Sequence, residues 1–172
     1  AIAKTFPDAF ISIDTYFAKV AQLAVESGAC LVNDVSAGTI DDQLLHTVAN
    51  LKVPYVLMHM KGTLENMQSN PVYENVVTEV FDFFSFKIAQ LHQMGINDII
   101  IDPGFGFGKT IAHNFQLLKN LHFFSQLQHP ILIGLSRKGT IYKTLNSTAE
   151  EALNGTTVLN TIALLNGVTI LR

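Results

Sequence analysis

The sequence has almost no cysteine, which excludes one common way of holding a small protein together. Cys30 is the one cysteine in 172 residues, so no disulfide can form within the chain. No Cys and His residues show the spacing of a zinc site. We therefore expect a protein of the reducing cytoplasm, and we interpret Cys30, which lies in GACLVNDV, as a small buried hydrophobic residue.

Charge is also scarce. Charged residues make up 15% of the chain, with 11 Lys and Arg against 14 Asp and Glu, for a net charge of −3. This balance gives no basic field for nucleic acid or for an anionic membrane. No apolar run approaches the roughly 18 residues of a membrane-spanning helix, and no signal-peptide pattern opens the chain. We expect a small-molecule substrate, with no nucleic acid and no membrane as a partner.

Apolar residues, in contrast, are abundant, at 48% of the chain. The length allows one domain with a real core but not two ordinary ones, so we predict a single domain over residues 1–172. Six short apolar runs predict buried strands at 9–14, 29–34, 54–60, 98–102, 130–136 and 168–172. The intervening segments have helical spacing, clearest in 16–27, in 72–94 and in the helix that a capping box at Thr148 and Glu151 begins.

The alternation of strand and helix without hairpin signals predicts an α/β fold with parallel strands. Nearly every predicted strand ends in residues capable of chemistry, namely Asp14, Asn33, Asp34, His59, Asp102, Ser136, Arg137, Lys138 and Arg172. An open sheet would need such residues only beside its switch point, whereas a barrel gathers all strand ends around one mouth. We therefore predict a (β/α)8 TIM barrel, of which this chain covers about six of the eight βα units. Ala1 begins inside an apparent helix, which favours truncation.

The segment IDPGFGFGKT at 101–110 looks at first like a phosphate-binding P-loop. The P-loop motif requires a glycine five residues before the glycine of Gly-Lys-Thr. That position is Pro103, which has no N–H and a fixed φ. Lys109 is therefore not a P-loop lysine, and Asp102 needs another explanation.

The strand ends SIDTY, VNDVSAG, VLMHMKGT, DPGFGFGKT, GLSRKG and ILR together resemble the dihydropteroate synthase family, a pterin-binding TIM-barrel family and the target of the sulfonamides. The resemblance covers essentially the whole chain and corresponds to strands 3 to 8 of that barrel. It implies a transferase of folate biosynthesis that joins 6-hydroxymethyl-7,8-dihydropterin pyrophosphate to p-aminobenzoate and releases pyrophosphate. It also implies a Mg²⁺ requirement and a homodimer.

The pterin contacts make chemical sense on these residues. A pterin presents an amino group and a ring N–H side by side, which suit the buried carboxylate of Asp102. Asn33 offers a donor and an acceptor for the remaining ring nitrogens, and Met58 would supply an apolar wall. By resemblance Asp14 stabilises positive charge on the methylene carbon, Lys138 donates to the pterin, and Arg172 stacks on it and meets the pyrophosphate. We take Asp14, Lys138 and Arg172 as the catalytic residues.

The p-aminobenzoate site is implied at Phe107, Lys138 and Gly139, where the last offers only a backbone N–H because it replaces the serine of many relatives. Gly104, Gly106 and Gly108 would let the backbone pass close to the ring held by Asp102. We interpret His59 as a loop-organising or pocket-wall residue. The family's loop with the asparagine that helps bind Mg²⁺ lies outside this sequence. We therefore expect no metal ligand within the chain and impaired turnover of the chain alone.

Two alternatives stay open. The first is a methyltetrahydrofolate-binding domain of a corrinoid methyltransferase, which shares the barrel and also binds a pterin through an Asp and an Asn. Such a domain needs neither GLSRKG nor an arginine beside the pyrophosphate. A catalytically incomplete barrel that binds a pterin, or only a partner protein, is the second alternative. Sequential binding of the pterin pyrophosphate and p-aminobenzoate would favour the synthase.

Overall fold

The computed structural model describes residues 2–67 and 69–172. Its chain forms two compact units. The first consists of Ala1–Met58 with Ser85–Ile100, and the second of His59–Phe84 with Ile101–Arg172.

The first unit is built on parallel strands that pair in sequence order. Strands β1 (Ser12–Asp14), β2 (Leu31–Asp34) and β3 (Tyr55–Met58) are followed in the sheet by β4 (Ile99–Asp102), which begins in this unit. The register places Asp14 opposite Asn33, and Asn33 opposite Val56. Because the strands are parallel, their carboxyl ends lie at the same edge, so polar residues at these ends become neighbours.

Helices flank these strands. Helix α1 spans Ile2–Thr5, α2 spans Ala18–Glu26, α3 spans Leu44–Leu51, and the second half of α4 (Val76–Gln93) also belongs to this unit. All four residues of β3 are buried, as a strand covered on both faces requires. The Asp41 side chain accepts hydrogen bonds from the backbone N–H of Ala18, which opens α2, and from that of Gln43, which precedes α3.

The second unit continues β4 and adds two short strands. Ile101 forms a parallel bridge with Ile131, and β5 (Leu132–Ile133) pairs in parallel with β6 (Ile170–Leu171). The helices of this unit are the first half of α4, α5 (Ile111–Lys119), a 3₁₀ helix (Leu121–Leu127), α6 (Gly139–Tyr142) and α7 (Leu153–Leu165).

All six predicted strands are present, although each is shorter than predicted. Helix α4 begins at Val76 and not at residue 72, because the Asn75 side chain accepts hydrogen bonds from the N–H groups of Val77 and Thr78. Both capping-box bonds between Thr148 and Glu151 form, but the regular helix starts only at Leu153. Ala1, at the predicted helical start, lies outside the described residues. Within the described residues, no helix has both the length and the apolar character needed to cross a membrane.

Candidate active site

The ends of β1 and β2 bring two predicted site residues together. The side-chain N–H of Asn33 donates to Asp14 Oδ1 at 2.6 Å. Asn33 is only 2% exposed, and its other polar atom, Oδ1, is buried without a hydrogen-bond partner among the described residues. Buried polar atoms are almost always paired in folded proteins, so an unpaired carbonyl oxygen beside a carboxylate indicates a place for a donor from a ligand.

Asp34 and Met58, at the ends of β2 and β3, contact other residues of the fold. Asp34 accepts hydrogen bonds from the N–H and hydroxyl of Ser36, from the Gly38 N–H and from the Tyr55 hydroxyl. This carboxylate therefore holds the loop that follows β2. Met58, predicted as an apolar wall, ends β3 and is fully buried in the first unit.

Asp102, at the end of β4, lies in the second unit and is 1% exposed. Its Oδ1 accepts from the Gly104 N–H at 2.8 Å, and its Oδ2 accepts from the Arg172 guanidinium at 3.2 Å. Burial raises the pKa of Asp102, whereas the Gly104 N–H, then Arg172, Lys138 and Lys109 act in the opposite direction. The structure thus brings Asp102 and Arg172 together, and it also shows the turn-stabilising contact that an Asp-Pro-Gly sequence predicts.

Lys138 lies beside the aromatic residue predicted for the second substrate. Its ammonium donates to the Phe105 carbonyl oxygen at 2.6 Å and lies 4.8 Å from the centre of the Phe107 ring. Burial lowers the pKa of Lys138, and the nearby Asp102 carboxylate opposes this shift. A cleft of about 600 Å³ opens here, lined by Phe107, Lys138 and Gly139 together with Gly106, Lys109, Thr110, Ile111, Asn114, Thr140, Tyr142 and Lys143.

Lys109 has a role that the sequence did not reveal. It is 3% exposed, and its ammonium lies 2.9 Å from His59 Nδ1 and donates to the carbonyl oxygens of His59, Gly104 and Phe107. Burial lowers the pKa of Lys109 to about 7, and Asp102 opposes that shift. Burial, followed by the charges of Lys109 and Lys61, lowers the pKa of His59 to about 2. Lys109 and His59 therefore form a buried pair that fixes the loop after β4, in agreement with our interpretation of His59.

Two glycines allow this loop to approach its neighbour. Gly104 and Gly108 have φ angles of +70° and +62°, and a Cβ at either one would overlap a backbone carbonyl oxygen, of His59 and of Lys61 respectively. These glycines therefore bring the loop close to the segment after β3, while their predicted approach to a bound ring stays a prediction. Arg137 also adopts a left-handed conformation, with φ of 50°, and its N–H donates to Thr156 Oγ1, so it organises the loop before α6.

The described residues do not fit a metal site of their own. No group of three or more His, Cys, Asp or Glu side chains within residues 2–67 and 69–172 could hold a metal ion. A Mg²⁺ ion would therefore need oxygen ligands beyond these side chains.

In each unit, polar side chains follow the carboxyl ends of parallel strands, which is where α/β proteins commonly bind their ligands. The chain matches the pterin binding enzyme family over residues 1–172. It belongs to that family.

Individual relatives are similar over nearly the whole chain. It is 40% identical over 167 residues to the dihydropteroate synthase of Haemophilus influenzae, an alignment that covers 96% of this chain and 60% of that enzyme. The crystal structure of the Yersinia pestis dihydropteroate synthase in a sulfonamide drug complex superimposes with a TM-score of 0.96 at 36% identity, over 99% of this chain and 62% of that one. A Xanthomonas albilineans dihydropteroate synthase with 4-aminobenzoic acid gives a TM-score of 0.90 at 37% identity, with 99% and 62% covered.

These matches confirm the predicted fold, an α/β parallel sheet of the dihydropteroate synthase TIM-barrel type. The chain spans about 60% of the length of the curated relatives it matches. The predicted single domain over 1–172 and the predicted roles of the site residues stay predictions.

Proposed function

We propose that this chain carries pterin-binding and p-aminobenzoate-binding residues of a dihydropteroate synthase. The reaction joins 6-hydroxymethyl-7,8-dihydropterin pyrophosphate to p-aminobenzoate and gives 7,8-dihydropteroate and pyrophosphate. The observation that carries the proposal is the buried Asn33 Oδ1, which lies next to Asp14 and has no donor within residues 2–67 and 69–172. A pterin ring N–H would complete that hydrogen bond.

The other pterin contacts follow from donor and acceptor chemistry. Each oxygen of Asp102 accepts one hydrogen bond in the structure, and a carboxylate has lone pairs for about four, so it can still accept the amino group and ring N–H of a pterin. Lys138 has two N–H groups beyond the one given to Phe105, which can reach the pterin carbonyl oxygen. Arg172 is 37% exposed in its side chain, which suits stacking on the ring and contact with pyrophosphate.

The chemical step is a displacement at the methylene carbon. The aryl amine nitrogen forms a bond to this carbon, the carbon–oxygen bond to the pyrophosphate breaks, and the amine loses a proton. Positive charge develops on the methylene carbon as the leaving group departs, and the Asp14 carboxylate would stabilise it. Arg172 would stabilise the negative charge that collects on the pyrophosphate.

The cleft beside Lys138 suits the second substrate. Phe107 offers a ring face to an aryl amine, while Lys138 and the Gly139 N–H offer donors. Gly139 is the first residue of α6, so its N–H has no acceptor within that helix.

For the whole protein we also propose a cytoplasmic location, a homodimer and a requirement for Mg²⁺, which would assist the departure of pyrophosphate. The described residues hold no cluster that could bind the ion unaided. The steps assigned to this chain therefore use its own side chains only.

The test is an assay of the full-length protein with dihydropterin pyrophosphate, p-aminobenzoate and Mg²⁺. We expect 7,8-dihydropteroate and pyrophosphate in equal amounts, and calorimetry should show that p-aminobenzoate binds after the pterin pyrophosphate. Binding of methyltetrahydrofolate without product formation would instead support a corrinoid-linked methyltransferase. The absence of heat with every pterin and with p-aminobenzoate would contradict the proposal and favour a scaffold.

A further inference from the structure

The charged residues that line the cleft beside Lys138 are all cationic. Its charged lining residues are Lys109, Lys138 and Lys143, and no Asp or Glu is among the residues that line it. A cleft with charge of one sign and an aromatic wall attracts an aromatic anion.

Two of the three ammonium groups already have partners. Lys109 is surrounded by the carbonyl oxygens of its own loop and by His59, and Lys138 donates to the Phe105 carbonyl. The exposed Lys143 ammonium and the hydroxyl of the half-buried Tyr142 have no hydrogen-bond partner among the described residues. These two side chains therefore offer donors to a ligand, in addition to the remaining N–H groups of Lys138 and the Gly139 N–H.

Both groups lie beside Gly139. A Cβ at Gly139 would lie 3.5 Å from the Tyr142 hydroxyl oxygen and 3.6 Å from Lys143 Cε, so a methyl group there would already contact both side chains. The φ angle of Gly139 is not positive, so the backbone does not require glycine there. The glycine leaves the hydroxyl and the lysine uncovered on this side, and both line the cleft.

We propose that Tyr142 and Lys143 bind the carboxylate of the aryl amine substrate and make the site selective for it over uncharged analogues. The inference rests on the proposed function, since that function places an aryl amine in this cleft. A carboxylate can accept one hydrogen bond from the Tyr142 hydroxyl and one from the Lys143 ammonium, and the second bond is charge-assisted. An uncharged carboxamide or sulfonamide group gains much less from the lysine.

The test compares 4-aminobenzoate with 4-aminobenzamide, which has the same ring but no charge. Affinities are measured by calorimetry on the full-length protein saturated with 7,8-dihydropterin and pyrophosphate. We expect Lys143→Met to weaken binding of 4-aminobenzoate about fivefold and Tyr142→Phe about threefold. Binding of 4-aminobenzamide should stay within about twofold of wild type in Lys143→Met, whereas Tyr142→Phe should weaken it as well, because its amide oxygen can also accept from the hydroxyl.

Lys119→Met provides the matched control. Lys119 is an exposed lysine in the last turn of α5 and does not line the cleft, so this variant makes the same charge change without altering the affinity ratio. An unchanged ratio in both Lys143→Met and Tyr142→Phe, with 4-aminobenzoate still bound by wild type, would overturn only this inference. Equal weakening of both ligands in Lys143→Met would also overturn it, because the lysine would then only shape the cleft. Failure of wild type to bind either ligand would overturn the proposed function as well.

Discussion

The amide of Asn33 is held from one side only. Its N–H donates to Asp14, while its buried oxygen has no donor among the described residues. Asn33→Leu keeps the volume and removes the unpaired oxygen, but it also removes the hydrogen bond to the Asp14 carboxylate, so the free energy of unfolding should fall by about 1–3 kcal/mol. The affinity for dihydropterin pyrophosphate should fall at least about tenfold.

Calorimetry of the full-length protein measures this affinity, and urea unfolding measures the stability. Asn166→Leu is the control, because Asn166 lies at the exposed end of α7 and its side chain bonds only to the Ile162 carbonyl. Pterin binding by the Asn33 variant that equals wild type would remove the main support for the proposed site.

Acid should destabilise the protein through His59. The unfolded imidazole takes up a proton near pH 6.5, whereas the folded one resists protonation until its lowered pKa of about 2. The unfolded state therefore binds more protons throughout this window. The contribution of the neutral His59 to the free energy of unfolding is fully present above about pH 6.5. It is lost as the pH falls, and the loss reaches about 2 kcal/mol at about pH 5.

Urea unfolding at several pH values measures this loss. His59→Asn should flatten the pH dependence, since the amide oxygen can accept from Lys109 but does not titrate. His46→Asn, on the exposed face of α3, should keep the wild-type slope. An equally steep acid response in the His59 variant would show that other groups cause it.

The loop between β4 and α5 depends on glycine for two separate reasons. Gly104 has a positive φ, and a Cβ there would also overlap the His59 carbonyl oxygen. Gly95, after α4, has a positive φ of +84° but no atom within 4 Å of the Cβ position. Gly95→Ala should therefore cost about 1 kcal/mol for the backbone conformation alone. Gly104→Ala should cost at least about 3 kcal/mol.

Chemical denaturation of the two variants provides the comparison. Because both substitutions are the same and both positions have left-handed backbone, the difference between them reports the contact with His59. Equal destabilisation would mean that the loop moves away at little cost.

The strands were predictable because each is a continuous apolar run ended by polar residues, as ACLVND and DIIID illustrate. The lengths of the strands were not predictable, because they depend on pairing with a neighbour. Strand β5, for example, has two residues that pair with the two residues of β6. Polar residues at the strand ends were also predictable, but the hydrogen bond from Asn33 to Asp14 was not. The Lys109 and His59 pair joins positions 50 residues apart, and no local pattern signals such a contact. A lysine after Gly-Phe-Gly looks exposed in sequence, and only the loop geometry surrounds it with carbonyl oxygens.

Self-association is a property of the whole molecule, and α7 offers an apolar surface for it. Leu165 is 82% exposed and Leu153 is 60% exposed, and large exposed apolar surface is typical of protein interfaces. If the proposed homodimer uses this helix, Leu165→Glu should weaken it at least about tenfold by placing a charge in the interface.

Sedimentation of the full-length protein over a range of concentrations measures the association. Phe86→Glu is the comparison, since Phe86 is 71% exposed on a different helix, α4. A monomeric wild-type protein, or a dimer lost only in the Phe86 variant, would contradict a role for α7.

The contact of Gly104 and Gly108 with the carbonyl oxygens of His59 and Lys61 also limits how this protein can be diversified. A library that randomises only the loop after β4 should return the parental glycines at both positions almost every time. Productive variants would need coordinated changes in both segments, so laboratory evolution of new substrate preferences should begin elsewhere, at the rim positions that no backbone atom crowds.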